Sequence, residues 1–280
     1  MSDIVTCAEQ RPYDLKALRT VRRRTGNVGE RVGGEADESS GSGPVAFTRR
    51  AYYILTGAIS PNVILVLENE VDPESRYFVP EIRRHLEEAG ARVRVYTYAD
   101  SGGRPEALAD ADAVVLSGST AGVYETASYP WMDELRALVP ELVEKRVPTL
   151  GVCFGHQLVN DALGGTVEHR GLRKGIERVR LDDDPLFDGV GERVPMVHGD
   201  FVTELGDGME RIATADYYEY LGSRHRDAPL WTVQYHPEFT AALLPDIEDD
   251  FGWPTNDRDR EFDDVSVERT FENFVRLAAE

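Results

Sequence analysis

Cysteine is nearly absent from this chain: Cys7 and Cys153 are the only two among 280 residues. Two thiols, one of them in a segment expected to be unstructured, argue against the disulfide framework that staples small secreted domains, and Cys153 reads as a free thiol. Neither cysteine sits in a Cys/His cluster with ligand spacing, so no metal or other cofactor is expected. Lysine is almost as scarce, limited to Lys16, Lys145 and Lys174. No apolar run approaches the roughly 20 residues needed to span a bilayer. The start, with Arg22, Arg23 and Arg24 in polar sequence, lacks the apolar core of a secretory signal, so the expected location is cytoplasmic.

What the chain holds in excess is acid. Against 31 basic residues stand 51 acidic ones, a net charge of −20. Residues 1–60 carry nine basic and seven acidic side chains, or +2, which leaves −22 on the remainder. So acidic and lysine-poor a surface suits a high-salt, halophilic cytoplasm, where screening removes its self-repulsion; an ordinary acidic protein is the alternative. Either way the body is a poor binder of nucleic-acid phosphates.

The Gly26–Gly34 stretch and Ser39-Ser40-Gly41-Ser42-Gly43-Pro44 lack hydrophobic periodicity, so residues 1–60 are expected to form a disordered N-terminal extension. A docking arm, a mobile tail and an overextended start are open readings of it. A folded domain is expected over 61–280. Val63 to Leu67 is a continuous apolar run, the pattern of a strand buried on both faces. Phe78, Ile82, Leu86 and Ala89 recur at helical spacing, and Gly90 closes that helix. Further strands are expected over Val93–Tyr98, Asp112–Leu116 and Thr149–Val152, with a helix over Trp131–Lys145. This alternation predicts an α/β fold with a doubly wound, mostly parallel sheet. After a helix from Gln157 to Leu163, short strands at Ile176–Leu181, Arg193–Val197, Arg211–Thr214, Tyr217–Leu221 and Leu230–Tyr235 predict a mixed or antiparallel flank continuing that sheet. The acidic stretch Asp246–Asp264, broken by Pro254, is expected to be a solvated surface loop. Val267, Phe271, Phe274, Val275 and Leu277 then mark a closing amphipathic helix.

The reactive chemistry gathers at Gly151-Val152-Cys153-Phe154-Gly155. A strand ends, a cysteine follows, and a helical pattern begins, which places a nucleophile at the apex of a tight turn flanked by glycine. The helix N-terminus behind it favours thiolate over thiol. A buried structural cysteine is the competing reading. A cysteine hydrolase also needs a base and a group to orient it, and His236-Pro237-Glu238 directly after an expected strand supplies both. The backbone N–H of Phe154 is one candidate oxyanion donor, and that of Gly118 or Ser119, at the end of a neighbouring strand, is the second. His198-Gly199-Asp200 reads equally as a contact to a substrate's amino or carboxylate group and as a turn.

Gly151-Val152-Cys153-Phe154-Gly155-His156-Gln157 and His236-Pro237-Glu238, with Cys153 and His236 83 positions apart, resemble the paired signatures of the class I glutamine amidotransferases. The similarity covers about residues 62–243 and is nearest to the amidotransferase component of GMP synthase and its stand-alone relatives. It implies a flavodoxin-like fold. It also implies that Cys153 attacks the side-chain amide of L-glutamine to give a γ-glutamyl thioester and ammonia. By the same resemblance His236 shuttles the proton, Glu238 orients His236, Gln157 helps bind glutamine, and ammonia passes to a synthetase. Neither a Gly-x-x-x-x-Gly-Lys-Ser/Thr phosphate loop nor a Ser-Gly-Gly-x-Asp-Ser nucleotide loop occurs, so an ATP-dependent partner polypeptide is expected. The sequence departs from GMP synthase at Ser117-Gly118-Ser119-Thr120, where that enzyme has Gly-Gly-Pro after the serine, and in the Asp246–Asp264 insertion. A stand-alone hydrolase of γ-glutamyl amides or peptides uses the same triad, and a non-catalytic binding protein on the same fold is the third alternative.

Overall fold

A computed structural model describes residues 62–253 and 262–280. The expected extension over 1–60, with Cys7, lies outside the described residues, as does the 254–261 part of the acidic stretch. Along the chain β1 (Val63–Glu68), α1 (Phe78–Glu88), β2 (Arg92–Thr97), β3 (Ala113–Leu116), α2 (Trp131–Glu144), β4 (Thr149–Val152) and α3 (Phe154–Ala162) alternate strand with helix. There follow β5 (Thr166–Arg178), β6 (Arg180–Leu181), β7 (Arg193–Glu204), β8 (Met209–Ala215), β9 (Tyr218–His225), β10 (Leu230–Val233), α4 (Leu244–Phe251) and α5 (Arg269–Leu277).

β1 is buried along its whole length and pairs in parallel with β2 on one side and β3 on the other. β4 joins β3 and β10 joins β4, both in parallel, so five strands run the same way. Successive side chains of a strand face opposite ways, and β1 feeds two cores accordingly. Ile64 and Val66 pack with Ile82 and Leu86 of α1 and Phe271 and Phe274 of α5. Leu65 and Leu67 pack with Leu135 and Val139 of α2 and Leu158 of α3. That is a doubly wound sheet, as the apolar runs imply. Among the described residues no helix is long and apolar enough to cross a membrane.

The flank is mixed, but only part of it continues the sheet. β9, β8 and β6 extend it beyond β10 in antiparallel fashion, in the order β10-β9-β8-β6. β7, expected in the same sheet, instead pairs with β5 as a separate two-stranded ribbon, and the expected strand Ile176–Leu181 is divided between β5 and β6 at Val179. β5 escapes a periodicity reading because Glu168-His169-Arg170 and Arg173-Lys174 put charge on both of its faces. The acidic stretch also departs from expectation. Its first six residues belong to α4, where Leu244, just before it, and Ile247 and Phe251 within it fall at helical spacing and bury one face against Phe78, Val197 and Phe239. Acidic composition masks that stripe, since Asp246, Glu248, Asp249 and Asp250 lie among its apolar residues.

Two glycines let α3 start hard against the sheet. A Cβ at Gly155 would stand 2.4 Å from the carbonyl oxygen of Leu116, and one at Gly151 would stand 2.6 Å from that of Gly155. Both obstacles are backbone, so no rotamer change relieves them. Gly155→Ala is therefore expected to cost about 3 kcal/mol of stability by overpacking, read as a lower urea midpoint by circular dichroism. A midpoint unchanged from wild type would contradict this packing.

Candidate active site

β4 and β10 are neighbours in the sheet, with Val152 opposite Val233, and the Cys153 N–H donates to the Val233 carbonyl at 2.9 Å. What leaves the carboxyl end of one strand therefore meets what leaves the other. Ligands of open α/β sheets bind at such ends. Cys153 sits at φ 52° and ψ −104°, in the left-handed half of backbone space that a side chain ordinarily avoids, directly before α3. Such a conformation costs about 1–3 kcal/mol and persists where the surroundings enforce it. Its thiol is buried, as a structural cysteine's would be, but it faces a cavity shared with His236, Gly118 and Ser119.

His236 is fixed on every side. Its N–H donates to the Pro195 carbonyl of β7 at 3.0 Å, and its ring stacks on Phe239 with centroids 4.1 Å apart. Nδ1 lies 2.7 Å from Oε1 of Glu238, and Nε2 lies 3.2 Å from the Val197 carbonyl oxygen. Both ring nitrogens thus face acceptors, the arrangement of an imidazolium with two donors. Burial works against that charge, but the neighbouring Cys153 sulfur and the Glu238 carboxylate outweigh it and raise the imidazole well above its ordinary value. The imidazole beside the Cys153 sulfur is thus favoured in its protonated form.

The 117–120 loop closes the opposite wall. A Cβ at Gly118 would lie 3.5 Å from Cε1 of His236 and 3.7 Å from Cβ of Cys153. The N–H groups of Ser117 and Thr120 are taken, but no hydrogen bond among the described residues uses those of Gly118 or Ser119. The segment after β1 grips this loop at both ends. Asn69 donates through its N–H to Ser117 Oγ at 2.9 Å and through Nδ2 to the Ser117 carbonyl at 3.1 Å. Glu70 accepts from the N–H and Oγ1 of Thr120 at 2.9 and 2.6 Å. Burial pushes the Glu70 carboxyl up to about 7, against the pull of the Thr120 and Asp72 donors. Phe154 is the first residue of α3, where backbone N–H groups lack intrahelical partners, while its ring packs on Trp131.

Gln157, His198 and Asp200 line the same cavity. Gln157 Nε2 donates to the Asp200 carbonyl at 3.2 Å and to Gln234 Oε1 at 3.1 Å. His198 spends its nitrogens on the protein, Nδ1 on the Asp200 carbonyl at 3.0 Å and Nε2 near the Tyr217 hydroxyl at 3.4 Å. Burial lowers it to about 4, so near neutrality it is an uncharged wall. Asp200 accepts from the Tyr124 hydroxyl at 3.2 Å and lies 2.8 Å from His169 Nδ1. Sequence reasoning missed Asn69, Glu70 and Gln234. The first two stand immediately beyond the carboxyl end of the central strand, the place where an α/β sheet gathers its site, and that rule was the available signal.

A family model described as glutamine amidotransferase class-I matches residues 75–251. A glutamine-hydrolysing GMP synthase of Clostridium novyi is 35% identical over 136 residues, 47% of this chain and 25% of that protein. This chain therefore matches about a quarter of that relative's length. One subunit of the glutamine-hydrolysing GMP synthase of Haloarcula marismortui is 37% identical over 139 residues, covering 48% of this chain and 67% of that one. The corresponding subunit of the Archaeoglobus fulgidus enzyme is 33% identical over 138 residues, covering 48% and 69%. Among solved structures, a glutamine amidotransferase from Thermotoga maritima superimposes with a TM-score of 0.62 at 21% identity, covering 79% of this chain and 98% of that one. At that identity the likeness speaks for the fold.

Proposed function

The chain belongs to the class-I glutamine amidotransferase family, and from that premise we propose that it hydrolyses L-glutamine to glutamate and ammonia through Cys153, His236 and Glu238. The observation that carries the reading is the meeting of a buried thiol with a carboxylate-backed imidazole at the ends of two adjacent parallel strands. In this mechanism the Cys153 thiolate attacks the carboxamide carbon of glutamine, and negative charge develops on the amide oxygen. The free N–H groups of Gly118 and Ser119 and that of Phe154 are placed to stabilise such an oxyanion, where one donor is typically worth about 3 kcal/mol. His236 gives its Nε2 proton to the leaving nitrogen, and ammonia departs from a γ-glutamyl thioester. The now neutral imidazole takes a proton from water as it adds to the thioester, and glutamate leaves with the thiolate restored. Glu238 holds the ring in place throughout. Gln157, His198 and Asp200 are assigned to the pocket that receives the substrate.

Ammonia passes, in this reading, to an ATP-dependent synthetase on a separate polypeptide. Two relatives are named as single subunits of a GMP synthase, which supports such a division. The test is glutamate release by the purified chain, alone and with the candidate synthetase. Turnover of glutamine raised by the partner is expected. Broad turnover of γ-glutamyl amides and peptides that ignores any partner would replace the proposal with a stand-alone hydrolase.

The acidic surface adds a condition. With −20 on the chain, folding and turnover are expected to require molar salt, because the screening length falls to about 3 Å at 1 M. The measurement is the urea midpoint and the glutaminase rate across a potassium chloride series. Both quantities being highest in dilute buffer would contradict a halophilic setting.

A further inference from the structure

Gln234 follows β10, two residues before His236, and is fully buried. Its Nε2 lies 3.4 Å from the Cys153 sulfur. Which end of a carboxamide faces a neighbour is settled by the hydrogen bonds around it. Here the other end is spoken for twice. Oε1 accepts from Gln157 Nε2 at 3.1 Å and from the Tyr218 hydroxyl at 3.3 Å. Gln157 is itself oriented by the Asp200 carbonyl oxygen, which accepts only from an N–H.

The Tyr218 hydroxyl belongs to a wider buried network. The Tyr218 oxygen already accepts from the Val202 N–H at 2.8 Å. His156 Nε2 lies 3.2 Å from it, and His156 Nδ1 lies 2.7 Å from Thr232 Oγ1. Burial lowers the His156 imidazole to about 3, so it is neutral and carries a single N–H. Thr232 Oγ1 in turn donates to the Ser223 carbonyl at 3.2 Å, so it is Gln157, donating to Oε1 at 3.1 Å, that fixes which end of the Gln234 amide faces the sulfur. The amide N–H is thereby aimed at the sulfur, inside a buried network that reaches the next strand, β9. Buried networks of this kind hold their members firmly.

We propose that Gln234 is a further catalytic residue, whose side-chain N–H donates to the Cys153 sulfur and stabilises the thiolate form of the nucleophile. The catalytic part of this rests on the glutaminase reading above. The contact with the thiol does not. A donor fixed on sulfur favours S⁻ over S–H, since hydrogen bonds to a charged acceptor are about twice as strong as neutral ones. The His236 imidazole lines the same cavity, and the sulfur is among the groups that raise it.

The test is the pH dependence of iodoacetamide alkylation of Cys153, in the full chain carrying Cys7→Ser, for wild type, Gln234→Leu and Gln234→Glu. The other titratable groups facing the sulfur are His236 with Glu238 behind it, His198 and Asp200 from β7, Glu70 beyond β1, and Tyr218 from β9, and none is altered. Gln234→Leu is expected to raise the alkylation midpoint by about one pH unit, tenfold in thiolate stability. Gln234→Glu keeps an acceptor for Tyr218 and Gln157 but puts an anion against the sulfur, and should raise the midpoint further. It also stands in for the leucine variant if that one does not fold. Glutamine turnover is expected to lose about 30-fold in kcat with KM changed less than threefold, the pattern of an interaction felt by the reacting atoms. Midpoints within about 0.2 pH units of wild type in both variants would overturn the proposal, as would a loss confined to KM. If wild type releases no glutamate the glutaminase reading fails, and the alkylation midpoint still decides whether Gln234 holds the thiolate.

Discussion

Cys153→Ala should reduce glutamate release from glutamine by on the order of 10,000-fold or more while the chain remains folded. Removing a nucleophile removes the covalent route, and what survives is background catalysis from binding and oxyanion donors. The fold should persist because the thiol's polar contacts are weak ones, at 3.7 Å to the Val197 carbonyl and 3.4 Å to Gln234. Alanine keeps the strain of a side chain at φ 52°, so the thermal midpoint should move little. Cys153→Gly should relieve that strain and raise the midpoint, at an equal loss of activity. A glutaminase assay and a thermal melt on the three proteins check this together. Activity near wild type in Cys153→Ala would mean that the nucleophile lies elsewhere.

Glu238→Gln is the second large effect expected, a loss of about 100-fold or more in glutamine turnover. Glu238 is completely buried, and its Oε1 meets His236 Nδ1 at 2.7 Å. Its Oε2 has no hydrogen-bond partner among the described residues. The carboxamide can still accept from Nδ1–H, but its NH₂ then occupies a place with no acceptor, and the charge behind the ring is gone. The sign of the pH effect follows. His236 is raised in the folded protein, so the stability drawn from its protonation is complete below the ordinary histidine value. It is lost as pH climbs through the raised one. Activity and stability should both fade on the alkaline side, and Glu238→Gln should move that alkaline limb to lower pH. The profile of kcat/KM against pH measures it. An alkaline limb left in place would mean that Glu238 does not act on His236.

Much of this arrangement is legible in the sequence because it is local. β1, β3 and β4 are short apolar runs, and a cysteine and a histidine that each follow a parallel strand must emerge at the same edge. The Ser117 to Thr120 loop is placed by the same rule. What escapes depends on partners distant along the chain. Gln234 gains its orientation from Gln157, and nothing in the spelling Val-Gln-Tyr-His reveals it. Glu70 is an ordinary acidic residue until Thr120, 50 positions later, closes on it. β7 pairs with β5 across a ribbon whose polar pattern resembles a loop, and it is β7 that carries Val197, His198 and Asp200 to the cavity. The buried face of α4 is hidden by the acids interleaved with its apolar residues.

The most direct measurement is acid quenching of the working enzyme with glutamine, followed by mass analysis of its peptides. A γ-glutamyl group is expected on the peptide containing Cys153, none on the one containing Cys7, and none at all in Cys153→Ala. Glutamate released with no acyl group ever found on Cys153 would contradict covalent catalysis at that residue.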